Sequence, residues 1–365
     1  NVSRRHFMGV SAALVAGAMA SGRAFGANNR IRVCVAGCNG RGGSHIEGFG
    51  AIKDCEIAAL CDPDSKVLER RSAEVQKKFG YTPKTYRDIR EALADDSINA
   101  VSIATPNHWH SLMAIWAVQA GKDVYVEKPL SHNVWEGRQL AALADKSEHI
   151  VMHGTQGRSS ARWMRDIKLI HDGFIGKLHL AKGFTYKTGG RRDLGKPANS
   201  PAPANLDWGI WQGPAQEREF NANYVHYNWH WFWEYGNGET GNQGVHQMDL
   251  CAWAVNRGLP VKVFSAGGRY HWNDNAETPN TQMSTFIYDD GTMMEFEIRN
   301  IGSYREEGGL TTGNTFHCAN GYYVEEKGFF DYEGKPIAVD TEMPETKGNW
   351  ENFIEAVRTR DKRWI

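Results

Sequence analysis

The sequence predicts an α/β domain with a doubly wound parallel sheet, followed by an α+β domain with a mostly antiparallel open sheet and helices on one face. The chain has 365 residues, more than one hydrophobic core usually serves. Up to about residue 150, short β-branched runs alternate with helical patterns at the spacing of a parallel sheet. Strand patterns predominate after that point, so the predicted domains are 30–150 and 151–365.

The composition excludes several classes of partner and site. The formal net charge is −1 and 23% of the residues are charged, so neither nucleic acid nor an anionic membrane is an expected partner. The six cysteines contain no C-x-x-C pair, which argues against a metal knuckle or a dithiol redox site. We expect the cysteines in the core as small apolar residues, with a single disulfide left open, and we predict no metal site.

Residues 1–29 have the layout of an export signal and a short linker. Arg4 and Arg5 precede an apolar stretch at 9–20, and small residues at Ala24 and Gly26 suit a signal-peptidase site. The paired arginines are typical of the twin-arginine route, which predicts a periplasmic or otherwise exported protein. The apolar stretch is too short for a membrane span. The alternative is an amphipathic helix at the start of the mature protein.

The first predicted strand, 30–36, runs directly into a glycine-rich turn. Gly37 and Gly42 match the first and last glycines of the pattern G-x-G-x-x-G, whereas Asn39 takes the middle position and glycine is displaced to Gly40. Glycines at such a turn let the backbone approach a pyrophosphate, and the following helix start supplies free N–H groups. We therefore predict a Rossmann-type dinucleotide site that contains Gly37, Asn39, Gly40, Arg41 and Gly42.

Polar residues follow three further predicted strands. Asp62 ends the second strand 20 residues after Gly42, where a carboxylate would bind the adenosine ribose and disfavour a 2′-phosphate, so NAD is expected rather than NADP. The alternative for the segment 62–64 is a helix cap, and the two roles are compatible. Because the carboxyl ends of parallel strands share one edge of the sheet, we assign to the cofactor site also Thr105, Pro106, Asn107, His110, Glu127 and Lys128.

Together these motifs resemble the Gfo/Idh/MocA family, named for glucose–fructose oxidoreductase, inositol dehydrogenase and a rhizopine-catabolism protein. The resemblance extends from about residue 30 to the end, and the triplet Glu127-Lys128-Pro129 after its strand is its most specific element. In the second half, 241–250 resembles the family's catalytic helix, 313–316 followed by 321–322 its late sheet, and 352–357 its C-terminal helix.

The resemblance implies two catalytic candidates. Lys128 would lie between the nicotinamide and the substrate hydroxyl, and His246 would act as an acid/base or hydrogen-bonding group at that hydroxyl. The family often has Asp four residues before this His, whereas this chain has Asn242, which cannot relay a proton. Glu239 or Asp249 is the alternative source of a carboxylate. The non-catalytic alternatives are a surface salt bridge for Lys128 and helix packing for His246.

The second domain is predicted to carry the substrate site and, by resemblance, the surface for a homo-oligomer. A long aromatic-rich loop at 189–241 contains the run 227–235, in which strand-like alternation would set three tryptophans on one face as a sugar platform. The alternative is a hydrophobic plug. Arg191 and Arg192 are expected either at an anionic substrate or in solvent. The substrate-binding candidates are Gln156, Arg158, Trp231, Asn242 and His246. The predicted strands are 151–156, 177–186, 262–270, 281–288, 292–299 and 322–326, with a hairpin turn at 289–292.

Three functions are compatible with the sequence. The leading hypothesis is an NAD-dependent oxidoreductase acting on a secondary hydroxyl of a sugar or polyol, with a tightly bound cofactor that is recycled internally because NAD is scarce outside the cytoplasm. The second is a redox-neutral, NAD-dependent glycosidase, as in some members of the resembling family. The third is a catalytically silent sugar-binding protein that retains the dinucleotide as structure. The absence of an initiating Met predicts a fragment, and the end at Ile365, soon after a predicted helix begins, predicts that its C-terminal part is truncated.

Overall fold

The structure is a computed structural model that describes residues 30–186 and 193–365. The predicted export signal at 1–29 and the pair Arg191 and Arg192 lie outside the described residues. The first eleven elements alternate strand and helix: β1 (Ile31–Ala36), α1 (Arg41–Gly50), β2 (Cys55–Cys61), α2 (Ser65–Phe79), β3 (Lys84–Tyr86), α3 (Ile89–Leu93), β4 (Ala100–Ile103), α4 (Asn107–Gln119), β5 (Asp123–Glu127), α5 (Val134–Lys146) and β6 (Val151–Gly154).

The remaining elements are mainly strands. In chain order they are α6 (Ala161–His171), β7 (Leu178–Thr185), α7 (Trp208–Gln212), α8 (Val245–Val255), β8 (Lys262–Gly268), β9 (Thr281–Ile287), β10 (Met293–Arg299), β11 (Thr312–Cys318), β12 (Gly321–Val324), β13 (Gly328–Phe330), β14 (Pro336–Ile337) and α9 (Asn349–Thr359).

The chain forms two compact units, and the first is built on a six-stranded parallel sheet. The strand order is β3-β2-β1-β4-β5-β6, which confirms the predicted doubly wound Rossmann sheet. Apolar side chains of α1, α2 and α9 cover one face, and those of α3, α4 and α5 cover the other. Successive strands are added toward one side of the sheet from β1 to β3 and toward the other side from β4 to β6, so the order changes direction between β1 and β4. The carboxyl ends of these two strands form the crevice in which such folds bind ligands.

Two segments outside the first 154 residues belong to this unit. Residues 199–221 and 349–365 pack with 30–154, whereas 155–186, 193–198 and 222–348 form the second unit. The predicted boundary at residue 150 placed both segments in the second domain. The strand predicted at 151–156 was assigned to that domain, and this assignment is wrong, because the observed strand Val151–Gly154 pairs in parallel with β5 as the last strand of the first sheet. A short strand pattern cannot reveal which sheet the strand joins.

The second unit contains an eight-stranded sheet in the order β14-β13-β12-β11-β7-β10-β9-β8. Only the β7–β10 pair is parallel, so the predicted mostly antiparallel sheet is confirmed. The hairpin turn predicted at 289–292 joins β9 and β10. Helices α6 and α8 cover one face, as predicted, through buried Ile167, Ile170 and Cys251. All six cysteines are buried free thiols.

The aromatic run 227–235 is not a strand. Asn228–Trp231 forms a 3₁₀ turn, and the exposures of Trp229 (9%), Trp231 (1%) and Trp233 (52%) show no flat platform. The Trp231 carbonyl accepts hydrogen bonds from Glu277 N at 2.8 Å and Thr278 N at 3.3 Å. The predicted alternation is therefore wrong, because this segment is fixed by local turns and burial rather than by strand pairing. The arrangement agrees with the hydrophobic plug, and a substrate contact for Trp231 stays a prediction.

Within 30–186 and 193–365, no helix combines the length and apolar character needed to cross a membrane. The same described residues contain no group of three His, Cys, Asp or Glu side chains arranged to hold a metal ion.

Candidate active site

The glycine turn between β1 and α1 is organised by the end of β2. Cys38 N donates to Asp62 Oδ2 at 2.8 Å, and Asp64 N donates to Asp62 Oδ1 at 3.0 Å. Gly37 has φ +79°, and a Cβ there would lie 2.7 Å from the backbone of Ala104. Asp62 thus joins the turn to the neighbouring strand end, in addition to the predicted ribose contact. The helix cap is Asp64, whose Oδ1 accepts from Lys66 N and Val67 N.

The turn leaves room and donors for a dinucleotide pyrophosphate. A Cβ at Gly40 would meet no atom within 4 Å, and α1 begins next to it without a side-chain cap, so no side chain of the N-cap residue occupies the N-terminal end of this helix. Thr105 Oγ1, at the end of β4, is buried without a hydrogen-bond partner. An open backbone approach and an unsatisfied hydroxyl are features that a bound dinucleotide would use, so the residues present fit NAD.

Asn39, which replaces the middle glycine, is held by two arginines of α2. Arg70 Nη2 donates to Asn39 Oδ1 at 2.6 Å, Arg71 Nε donates to Cys38 O at 2.9 Å, and Arg71 Nη2 donates to Asn39 O. Arg70 and Arg71 are not among the site residues predicted from the sequence. Three donors from one helix fix the turn at the position where the usual glycine is missing.

Glu127 lies at the centre of a buried network. Its Oε1 accepts from Arg41 Nε at 2.6 Å and lies 3.2 Å from His45 Nε2, while His45 Nδ1 lies 2.7 Å from Ser102 Oγ. Burial raises the pKa of Glu127, but His45 and Arg41 overcome that effect and hold it below its usual range. Burial lowers the pKa of His45 despite Glu127. We therefore assign a carboxylate to Glu127 and a neutral ring, with its proton on Nε2, to His45.

This network explains why Glu127 precedes Lys128. Lys128 N donates to Glu127 Oε2 at 3.1 Å, so the fixed carboxylate also orients the backbone of the catalytic candidate. His45 and Ser102 are not among the site residues predicted from the sequence. A serine inside the apolar strand 100–104 was the available signal, because a fully buried hydroxyl requires a polar partner.

His110 ties together the ends of β4 and β5. Its Nδ1 lies 2.6 Å from the Pro129 carbonyl and its Nε2 lies 2.8 Å from the Thr105 carbonyl. Burial lowers the pKa of His110, whereas the two carbonyls act in the opposite direction. The loop that carries Thr105 is thereby held beside the half-buried Lys128, so two of the predicted strand-end motifs are brought together.

In the second unit, His246 lies in the first turn of α8, directly after a π-helical turn at Thr240–Gly244. Such turns occur frequently at functional sites. Asn242 Nδ2 donates to Oε2 of the buried Glu239 at 3.3 Å. Of the two alternative carboxylates, Glu239 is thus the one bonded to the residue that replaces the family's Asp.

Asp249, the other alternative, is committed to an ion pair. Arg158 donates through Nε and Nη2 to its two carboxylate oxygens, both at 2.9 Å, and the guanidinium lies 4.8 Å from the ring centre of Trp253. The predicted substrate residue Arg158 is therefore fixed to α8. Gln156 lies in the adjacent 3₁₀ turn Gln156–Ser159.

A buried polar pair lies beneath α8. Asn314 Nδ2 donates to Gln247 O at 2.9 Å and contacts Cys251 Sγ at 3.1 Å, whereas Asn314 Oδ1 and Glu325 Oε2 are buried without hydrogen-bond partners. Glu325 N donates to Asn314 O, so the two residues lie opposite each other where β11 pairs with the end of β12. Burial raises the pKa of Glu325 to about 7, more than the Asn314 backbone and Arg162 lower it. The raised pKa favours the protonated, uncharged form of Glu325 at this buried position.

We expect the free energy of unfolding to fall as the pH rises toward the raised pKa of Glu325. Because the pKa of Glu325 is raised from 4.5 to about 7 in the folded protein, the folded protein keeps the proton between these pH values whereas the unfolded chain releases it. The resulting loss of unfolding free energy is complete above pH 7 and amounts to about 3 kcal/mol. Glu325→Gln should raise the thermal midpoint by several degrees at pH 8 and by little at pH 5. Glu333→Gln, at an exposed position of the same unit, is the control and should show no such difference. An equal effect of Glu325→Gln at both pH values would contradict the assignment.

Two family models match the chain. One, described as the oxidoreductase family GFO_IDH_MocA with an NAD-binding Rossmann fold, matches residues 31–155. The other, described as the C-terminal α/β domain of the same oxidoreductase family, matches residues 166–364. Together they cover both sheets.

Curated relatives match the chain over part of their length. It is 28% identical over 204 residues to a glycosyl hydrolase family 109 protein of Shewanella sp. strain ANA-3 and to an alpha-N-acetylgalactosaminidase of Shewanella oneidensis. Both matches cover 49% of this chain and 44% of the relative. The chain thus spans less than half the length of these curated relatives.

Solved structures share the fold over nearly the whole chain. The WlbA dehydrogenase of Bordetella pertussis, in complex with NADH and UDP-GlcNAcA, aligns with a TM-score of 0.66 at 19% identity and covers 92% of this chain and 90% of its own. A levoglucosan dehydrogenase in complex with NADH and levoglucosan aligns with a TM-score of 0.59 at 20% identity, covering 84% and 74%. At these identities the likeness establishes the fold.

Proposed function

We propose, because this chain belongs to the Gfo/Idh/MocA oxidoreductase family, that it transfers a hydride between NAD and a secondary hydroxyl or ketone of a sugar or polyol. The observation that carries the proposal is the position of Lys128. It follows β5 at the ligand-binding edge of the sheet, beside Thr105 and His110 and next to a carboxylate fixed by Arg41 and His45. The dehydrogenases with this fold were solved with NADH and sugar ligands, which supports the substrate class.

Lys128 has the chemistry that alcohol oxidation requires. The bound NAD supplies the hydride acceptor. A base must take the hydroxyl proton as the C–H bond breaks, and a half-buried lysine at the strand end can hold and move that proton. Glu127 is excluded as the base, because its carboxylate is already bonded to Arg41 and His45. His246, Asn242, Gln156, Arg158 and Trp231 stay predictions as substrate contacts.

The second candidate is a redox-neutral glycosidase. It is favoured by the similarity to glycosyl hydrolase family 109 proteins and to the alpha-N-acetylgalactosaminidase. Transient oxidation of a sugar carbon acidifies the neighbouring C–H bond, which permits loss of the glycosidic leaving group before water adds and the carbon is reduced. No net oxidant is consumed, and a captive NAD would be regenerated in each cycle. Asn242, in place of the family's frequent Asp, is a departure that this different chemistry would accommodate.

The cofactor content of the purified protein tests both candidates. Mature protein prepared without added nucleotide is denatured, and the supernatant is assayed for NAD by enzymatic cycling. Near-stoichiometric NAD supports a captive, internally recycled cofactor. The native protein is then tested with sugar and polyol pairs and with α-N-acetylgalactosaminides. Glycoside cleavage without net NADH formation selects the glycosidase, and sugar-dependent NADH formation or exchange selects the oxidoreductase. Failure to bind NAD at all would contradict both.

We propose that the protein acts outside the cytoplasm after twin-arginine export. The support is the sequence at 3–8 with Arg4 and Arg5, the apolar stretch and the small residues at Ala24 and Gly26. Replacing both arginines with lysine should retain the protein in the cytoplasm, as measured by fractionation with a cytoplasmic marker. Normal export of the double variant would contradict the route and remove the reason for a captive cofactor.

We propose also that the protein is a homo-oligomer. Strand β8 is an edge strand whose apolar residues Val263 and Phe264 are more than half exposed, and Met283 of β9 is equally exposed. Apolar side chains on an open sheet are typical of a surface that another chain covers. Light scattering should give a mass of at least two chains, and Phe264→Ser should shift it toward one. A monomeric wild type would contradict the proposal.

A further inference from the structure

Residues 199–221, which we call the returning segment, lie in the sequence between two parts of the second unit but pack in the first unit. One end is fixed just after β2. Asn205 Nδ2 donates to Asp64 Oδ1 at 2.7 Å, Ser65 N donates to Asn205 O at 2.9 Å, and Asp207 N donates to Pro63 O at 3.0 Å. These contacts lie within three residues of Asp62, the predicted ribose ligand.

The other end of the returning segment is fixed at the start of α4. The Trp211 carbonyl lies 3.1 Å from both Trp109 Nε1 and His108 Nε2. Gly213 has φ +50°, and a Cβ there would lie 2.0 Å from Cζ2 of Trp109, so the backbone rests directly on the indole. These contacts lie within four residues of Thr105, whose buried hydroxyl lacks a partner.

The two attachment points lie on either side of the glycine turn. β2 and β4 flank β1 in the sheet, and all three strands are parallel, so their carboxyl ends share one edge. The end of β1, where Gly37–Gly42 forms the turn, therefore lies between the two strand ends beside which the segment is attached. The short helix α7 connects the two points, and Leu206, Trp211 and Phe220 are buried within the unit. The returning segment is therefore packed into the first unit by buried side chains as well as by the hydrogen bonds at its two attachment points.

We propose that the returning segment is a second part of the NAD site, which forms its outer wall and slows cofactor release. The proposal rests on the proposed function only in requiring that NAD binds at the glycine turn. A wall attached at both strand ends must detach from one of them before the dinucleotide can leave. Such a wall would slow the dissociation of NAD without adding charged ligands to the cofactor. Slow dissociation suits an enzyme that recycles its NAD.

The test is the NADH dissociation rate, which needs no knowledge of the sugar. The chain contains 13 tryptophans, so bound NADH can be followed by energy transfer and displaced with excess NAD in a stopped-flow instrument. Gly213→Ala should force the segment off Trp109, and Asn205→Ala should remove the bond to Asp64. We expect dissociation to accelerate about tenfold or more in the first variant and several-fold in the second, with association changed by less than about threefold. Glu217→Gln, exposed on the same segment, is the control and should match wild type.

Unchanged dissociation in both variants would overturn the proposal, provided that limited proteolysis shows faster cleavage within 199–221 in Gly213→Ala. An equally large increase in the NADH dissociation rate in Glu217→Gln would also overturn the proposal, since the effect would then not depend on the attachment points. If Gly213→Ala does not fold, Asn205→Ala decides the result, because it removes one polar contact and no backbone. Slow release from wild type and faster release from the variants would support the wall even if no sugar or glycoside is turned over, an outcome that contradicts only the proposed reaction.

Discussion

Lys128→Ala is expected to lower turnover by about 10²–10⁴-fold while leaving NADH binding within about threefold of wild type. A positioned acid/base group contributes this much to the rate, which corresponds to about 3–5 kcal/mol of transition-state stabilisation. Binding should survive because the glycine turn, Asp62 and Thr105 do not depend on the Lys128 side chain for their contacts. Turnover is measured on the substrate found in the sugar and glycoside panel, and NADH binding by fluorescence.

A second substitution separates proton transfer from charge. Lys128→Arg keeps a positive charge at the strand end, but a guanidinium does not deprotonate in a protein. If Lys128 moves a proton, the arginine variant should be nearly as slow as the alanine variant and should lose one limb of the pH–rate profile. Recovery of most of the rate with arginine would assign an electrostatic role instead. Lys53→Ala, at an exposed position of the first unit, is the control for charge removal.

The first sheet could be predicted from the sequence because its signals are local. Each strand from β1 to β5, apart from the three-residue edge strand β3, is an apolar run followed by a helical pattern or a polar turn. The exceptions depend on distant partners. Val151–Gly154 has the same pattern as a strand of either domain, and only pairing with β5 assigns it to the first sheet. The returning segment carries no strand or long helix at all, so its attachment to Pro63 and Trp109 could not be read from periodicity.

Many residues of the candidate site could be predicted from the sequence, but the contacts between them could not. Glu127 and Arg41 were both assigned to the cofactor, and the structure pairs them with each other and with His45, which the sequence analysis did not identify. Likewise Arg158 was assigned to the substrate, and it is bound to Asp249. Sequence spacing shows which residues reach a strand end, whereas the partner of a buried charge depends on packing over 80 or more residues of separation, as with Arg41 and Glu127.

Gly42→Ala is expected to abolish measurable NADH binding and to destabilise the first unit by about 2–3 kcal/mol. A Cβ at this position would lie 1.9 Å from the Gly37 carbonyl oxygen, a backbone atom that cannot move aside without breaking the turn. Gly37 is itself held against the backbone of Ala104, so the strain would pass to the end of β4. Thermal unfolding and NADH fluorescence are the measurements, and a variant with wild-type midpoint and affinity would contradict this account of the turn.

Gly40→Ala is the matched variant, because a Cβ there meets nothing within 4 Å of the protein. Its cost to stability should stay at about 1 kcal/mol or less, mainly from the change at the helix N-cap. NADH binding should nevertheless weaken about tenfold or more, since the open space beside Gly40 is where a pyrophosphate would approach the backbone. The two substitutions therefore separate a glycine required by the protein from one required by the cofactor. Unchanged NADH affinity in Gly40→Ala would place the pyrophosphate elsewhere along the turn.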